Sequence, residues 1–120
     1  MNTSNITVLK NFMSESDFKK ILKDVKLNFN KKIHKCWAVK IDKKENNFYH
    51  KHLNLLTSVF YLQNKNYYLG THLKHNGSEI IVPGYENSIL IFNGDITHDA
   101  VFPDNKLKKP RYTLVTDFNI

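Results

Sequence analysis

After about residue 33 the chain repeats one pattern. Short runs of β-branched and aromatic residues alternate with clusters of turn formers. The runs are "CWAVKI", "LLTSVFYL", "NYYLGTHL", "EIIV", "SILIF", "DAVF" and "RYTLVTDF". Between them stand "QNKN", "HNGS", "PGYEN", "NGD" and "PDNKLKKP". Each run is too short for a helix, and the spacing is regular, which predicts a sandwich or barrel of short strands. Asn76-Gly77 is a hairpin signal, because both residues accept positive φ.

Before this region the pattern differs. Ile6 to Leu9 reads as a short strand. Ser14 follows as a helix cap, with Asp17 three residues on and Met13 and Phe18 at the flanking staple positions. Phe18, Ile21, Leu22 and Val25 recur at helical spacing and form one apolar face. The expected architecture is mostly β: a double-sheet roll of seven or eight strands with one N-terminal helix packed on it. A chain of 120 residues suits a single domain, 1–120, with a modest core.

Composition narrows the function classes. No stretch approaches the ~18 consecutive apolar residues of a membrane helix, and the N-terminus lacks the pattern of a secretion signal. The one cysteine, Cys36, rules out an internal disulfide, and the expected location is cytoplasmic. The formal charge is +7, yet the lysines are spread along the chain. They do not form the basic stripe with stacking aromatics that marks nucleic-acid recognition, so that partner is not favoured. Of eighteen basic residues, Arg111 is the only arginine. In a chain so biased to lysine, an arginine suggests a need for a planar two-pronged donor, with a surface salt bridge as the plainer reading.

The histidines are more informative. There are six: His34, His50, His52, His72, His75 and His98. On a strand, positions i and i+2 share a face, so His50 and His52 aim both imidazoles into one cavity or both outward. His98 comes several runs later, just past "SILIF". Arg111 opens the last run, and Thr113 shares its face. Each residue alone has an ordinary explanation. The joint order of His-x-His, strands, His, then Arg-x-Thr is much harder to obtain by chance.

That order resembles the Fe(II)/2-oxoglutarate-dependent oxygenases. It is most similar to a group of small bacterial and phage members with His-x-His where most relatives have His-x-Asp. "ITVLKNFMSESDFKKIL" resembles the family's opening strand and helix. "YHKHLNLLTSVFYL" resembles its metal motif and following strand, and "VPGYENSILIFNGDITHDAVFPDN" and "RYTLVTDFN" resemble its closing segments. The resemblance covers nearly the whole chain. It implies a double-stranded β-helix, the jelly-roll or cupin-like fold. It implies Fe(II) held by His50, His52 and His98, and 2-oxoglutarate chelating that iron. The distal carboxylate of 2-oxoglutarate would meet Arg111, with Thr113 beside it and Tyr61 lining the pocket. O₂ would be the second co-substrate, and succinate a product. An all-imidazole set is chemically acceptable for iron, but it leaves the site one unit more positive than the usual two-His, one-carboxylate triad.

Other residues have two readings each. Trp37 and Phe48 read as core or cavity wall. Asp95 and Asp99 flank His98, as acceptors for a ligand imidazole or as solvated loop carboxylates. Asp42 is a substitute ligand or a turn residue. His72 and His75 form a rival metal pair or an exposed one. Cys36 reads as buried. Two further functions stand beside the oxygenase: a cupin-like three-histidine binding protein without turnover, and a non-catalytic accessory protein, phage-encoded and acting in the host cytoplasm. A monomer or a homodimer suits either.

Overall fold

A computed structural model of the chain describes residues 6–28, 35–45, 49–52 and 55–119. Phe48 and His34 lie outside the described residues. The elements run β1 (Ile6–Leu9), α1 (Glu15–Leu27), β2 (Cys36–Ile41), β3 (Leu55–Gln63), β4 (Thr71–His75), β5 (Ser78–Val82), β6 (Ile89–Asn93), β7 (Thr97–Ala100) and β8 (Arg111–Asn119). Five strands form one sheet in the order β1-β6-β3-β8-β2, and three form a second in the order β5-β4-β7. All described pairings are antiparallel. The fold is mostly β, a double-stranded roll with one helix. Among the described residues no helix is long and apolar enough to cross a membrane.

Strand alternation explains the layering. Odd-numbered Val59 and Tyr61 on β3 face the second sheet and cluster with Leu73, Val82, Leu90 and Phe92. Even-numbered Phe60 and Leu62 face the other way and pack with Ile89 under Phe18, Ile21, Leu22 and Val25 of α1. Being covered on both faces, β3 is buried from Thr57 to Gln63. The apolar stripe expected of the helix is therefore the face that it packs, partly buried, against the roll. Ser14 caps α1 by accepting from the Asp17 amide at 3.2 Å. Asn87 docks the residues before the cap onto the roll, accepting from the Met13 amide at 3.0 Å and donating to the Met13 carbonyl at 2.8 Å.

The turns follow local chemistry. At the tip of the β4–β5 hairpin Asn76 and Gly77 both have positive φ, 48° and 79°. A two-residue primed turn requires this of both central residues. Two expected strands start elsewhere. "NYYLGTHL" becomes a strand only at Thr71. Its first half turns, with the Leu69 amide donating to the Asn66 carbonyl and the Gly84 amide to the Tyr67 carbonyl. The run expected at Asp99–Phe102 pairs earlier, over Thr97–Ala100.

Gly70 sits where two stretches of backbone nearly touch. A Cβ there would lie 1.8 Å from the Val82 carbonyl oxygen, which is backbone and cannot swing aside. Gly70→Ala should therefore cost about 3 kcal/mol or more, at the upper end of overpacking effects. Urea unfolding checks this, and a midpoint equal to wild type would contradict the close approach.

Candidate metal centre

The described part of the His-x-His segment, residues 49–52, precedes β3. It runs beside β7 as a single bridge. The His50 amide donates to the His98 carbonyl at 3.0 Å, and the His98 amide donates back to the His50 carbonyl at 2.9 Å. The His52 amide donates to the Gly94 carbonyl at 2.7 Å. Directly paired residues present their side chains on the same face, so His50 and His98 point together, and His52 follows two residues on. Ring centroids are 4.2 Å apart for His50–His98, 4.9 Å for His52–His98 and 5.0 Å for His50–His52. One nitrogen from each ring lies within 4.8 Å of the others. Nitrogens bound to one ion at ~2.1 Å stand at most ~4.2 Å apart, so this spacing is near that of a shared ion. Among the described residues this is the one cluster of three that could hold a metal ion.

Two of the rings are oriented by their other nitrogen. His98 Nδ1 lies 2.8 Å from the Ile96 carbonyl oxygen. A carbonyl can only accept, so Nδ1 carries the proton and Nε2 keeps its lone pair. Burial holds the His98 pKa down to about 4, helped by the neighbouring His50 and His52. His98 is therefore neutral at physiological pH, as a ligand must be. His52 Nδ1 lies 2.7 Å from Asp117 Oδ1, and Thr57 Oγ1 donates to the same oxygen at 2.8 Å. Trp37 stacks on His52 with centroids 6.0 Å apart.

Asp117 is a residue that the sequence reading missed. The acceptors expected there for a ligand imidazole were Asp95 and Asp99. Asp95 is exposed, and the Asp99 carboxylate accepts from the Ala100 amide at 2.8 Å. The missed signal was strand period: Arg111, Thr113, Val115 and Asp117 alternate onto one face. Asp117 pairs with Thr57 across the sheet, which brings it to the start of β3 beside His52. Carboxylates behind a ligating imidazole typically contribute about 10–100-fold to metal affinity. Asp117→Ala should weaken Co(II) binding by about that factor in a spectrophotometric titration. An unchanged affinity would remove Asp117 from the site.

A cavity of about 130 Å³ runs inward from His50 and His98 to Arg111. Trp37, Val39, Val59, Thr71, Thr113 and Val115 form much of its wall. Arg111 opens β8, and Asp117 lies near the end of the same strand. Arg111 is 3% exposed. Its guanidinium lies 5.3 Å from the centre of the Tyr61 ring. Nε and Nη1 are buried with no hydrogen-bond partner among the described residues. Burial lowers the Arg111 pKa, opposed by Tyr61 and Asp99. Buried guanidinium donors without acceptors are rare, because each carries its full desolvation cost. Donors of this kind can take up an anionic ligand.

The other expected site residues fall as follows. Thr113 is buried in the cavity wall, two residues from Arg111. Tyr61 is fully buried behind the arginine rather than lining the cavity, and its hydroxyl bonds to Thr71 Oγ1. Desolvation raises its pKa. His72 and His75 do not converge as a metal pair: His72 contacts Tyr49 and Glu79, and His75 contacts Asn76. The Asp42 carbonyl accepts from the Leu107 amide, and Asp42 is not in the metal cluster. Cys36 is half-buried and accepts from the Thr116 hydroxyl at 3.4 Å.

No family model matches the sequence, and no curated protein is significantly similar to it. Solved structures do share the fold. One is a prolyl-4-hydroxylase from Pseudomonas putida, which aligns over 96% of this chain and 84% of its own. The TM-score is 0.57 at 11% sequence identity, so the likeness is one of fold. The chain thus has a double-stranded β-helix, a fold that it shares with that hydroxylase, and a three-histidine cluster beside its cavity.

Proposed function

We propose that the chain is an Fe(II)/2-oxoglutarate-dependent dioxygenase that hydroxylates an organic substrate. The observation that carries this reading is the pair of Arg111 donors with no partner among the described residues, buried at the cavity that His50 and His98 also line. A metal cluster alone would suit many proteins. A metal cluster with a buried guanidinium deeper in the same cavity suits a ligand with two acidic ends. The likeness to a prolyl-4-hydroxylase supports hydroxylation as the reaction type.

The residues present fit the cofactors. His50, His52 and His98 would hold the metal, leaving positions open for other ligands. The Ile96 carbonyl and Asp117 fix the tautomers that leave Nε2 of His98 and His52 free. Arg111 would meet the distal carboxylate of 2-oxoglutarate, a charge-assisted contact, with Nε and Nη1 the donors that have no partner among the described residues. The Thr113 hydroxyl stands beside that position. Val39, Val59 and Val115 keep the wall between the two ends apolar. They limit water around the bound acid. Bound there, iron and 2-oxoglutarate supply O₂ activation coupled to decarboxylation of the acid to succinate.

Anaerobic titration of the metal-free protein with Fe(II) and then 2-oxoglutarate tests the reading. Chelation should produce a weak visible charge-transfer band, and admission of O₂ should yield succinate. No band and no succinate would reject it. The donor set, three imidazoles and no carboxylate, favours a second reading as a metal-binding protein without turnover. Stoichiometric metal binding that 2-oxoglutarate does not alter would select that reading.

A further inference from the structure

Two of the three clustered histidines ride on a segment outside the named strands. Residues 49–52 meet β7 as a bridge, not a ladder, and their described main-chain bonds run to His98 and Gly94. Donor atoms must be held within about 0.5 Å for a metal site to work well. On the inner side the segment is pinned where His52 meets Asp117. On the outer side Tyr49 points the opposite way from His50, as alternation along an extended chain requires.

There Tyr49 meets a polar cluster that the cavity does not use. Its hydroxyl lies 2.9 Å from His72 Nδ1, and the two rings meet edge to face with centroids 5.5 Å apart. His72 Nε2 lies 3.2 Å from Glu79 Oε2. Lys74 Nζ sits 3.7 Å from the centre of the Tyr49 ring and 4.0 Å from Glu79 Oε1. With neutral His72 the donors run one way: the phenol donates to Nδ1, and Nε2–H donates to the carboxylate. His72 and Lys74 belong to β4, the middle strand of the three-stranded sheet, held on both sides by β5 and β7. This is the most rigid anchor that the sheet can offer.

We propose that the chain Tyr49–His72–Glu79 is an outer clamp that positions His50 and His52 for metal binding. None of the three lines the metal cavity. They are positioning residues, acting through the backbone of the segment they hold. The inference rests on the metal reading above and adds to it a determinant on the opposite face of the sheet. His72, read from sequence as half of a rival metal pair, thereby supports the first site from behind.

The test uses the full chain and Co(II) alone, with affinity measured by competition against a chelator. Tyr49→Phe keeps the ring and the lysine contact and deletes the hydroxyl. His72→Phe removes the centre of the chain. Each should weaken Co(II) binding about tenfold, the lower end of what outer partners of metal ligands contribute. The double variant should bind no more weakly than the weaker single, because both changes cut one chain. The unfolding midpoint of the metal-free protein should stay close to wild type in both singles, which a merely structural role would not allow. His75→Ala, on the same strand and outside the clamp, should bind like wild type.

Wild-type affinity in Tyr49→Phe and His72→Phe would overturn the clamp alone. So would additive losses, or losses matched by a fall in the metal-free midpoint. If the wild type itself binds no Co(II), the clamp and the metal reading fail together, a result distinct from the others.

Discussion

Replacing Arg111 with methionine is expected to weaken 2-oxoglutarate binding sharply while leaving the protein as stable as wild type, or more so. The two halves of this expectation have one cause. Removing one partner of a buried hydrogen-bonded charge pair costs roughly 2–5 kcal/mol of binding, and each ~1.4 kcal/mol is tenfold in affinity. The dissociation constant for 2-oxoglutarate in the metal-loaded protein should thus rise by about 30-fold or more. In the ligand-free protein the same guanidinium is a cost, since Nε and Nη1 are buried without acceptors among the described residues. A methionine of similar length fills the space without that penalty, as replacement of buried charges by apolar residues often does. Calorimetric titration reads the first effect, and thermal unfolding of the metal-free protein reads the second. Arg111→Lys should fall between, because a point charge loses the two-pronged contact. A methionine variant that still binds 2-oxoglutarate, or one that unfolds many degrees early, would assign Arg111 to structure instead of ligand.

Replacing His98 with alanine should remove metal binding. His98 is the best-prepared of the three rings: neutral, buried, and fixed by the Ile96 carbonyl with Nε2 free. It also pairs backbone-to-backbone with His50, so its ring and that of His50 share one geometric origin. Loss of a direct donor should exceed the ~10–100-fold effect of an outer partner. Wild-type protein with Co(II) at about a hundred times its dissociation constant should gain about 2.7 kcal/mol of stability by linkage. The alanine variant should gain almost none at the same concentration. Thermal unfolding with and without the ion makes the comparison, and the backbone pairing of residue 98 is untouched by the change. An unaltered metal-induced shift in His98→Ala would place the ion elsewhere.

Much of the fold was legible because it follows from local rules. The cap at Ser14, the apolar stripe of α1 and the bounds of β1 and β2 are set by spacing within a few residues. The turn at residues 66–70 was not legible. Tyr67 and Tyr68 have strong strand propensity, yet that propensity mostly reflects packing on a half-buried surface. Here both rings are exposed, and the chain turns because Asn66 and Tyr67 accept hydrogen bonds from Leu69 and distant Gly84. The candidate site divides in the same way. The grouping of His50, His52, His98 and Arg111 was inferred from their order and from the resemblance. Asp117 was not, because its partner His52 is far away in sequence and only the register between β3 and β8 brings them together. Tyr49–His72 likewise depends on which strand the His-x-His segment lies against.

The bridge between His50 and His98 also bears on how the protein reaches its native state. The segments that carry the clustered histidines are separated by β3, β4, β5 and β6, so the cluster exists only after most of the roll has formed. A metal ion therefore has no three-histidine chelate to grip in the unfolded chain, and a site that assembles late would still be open in the transition state. Contacts made after the transition state slow unfolding without speeding folding. Metal loading should accordingly lengthen the lifetime of the folded protein, as a latch does on a closed box, while the sheets assemble at the pace that their own long-range pairings set.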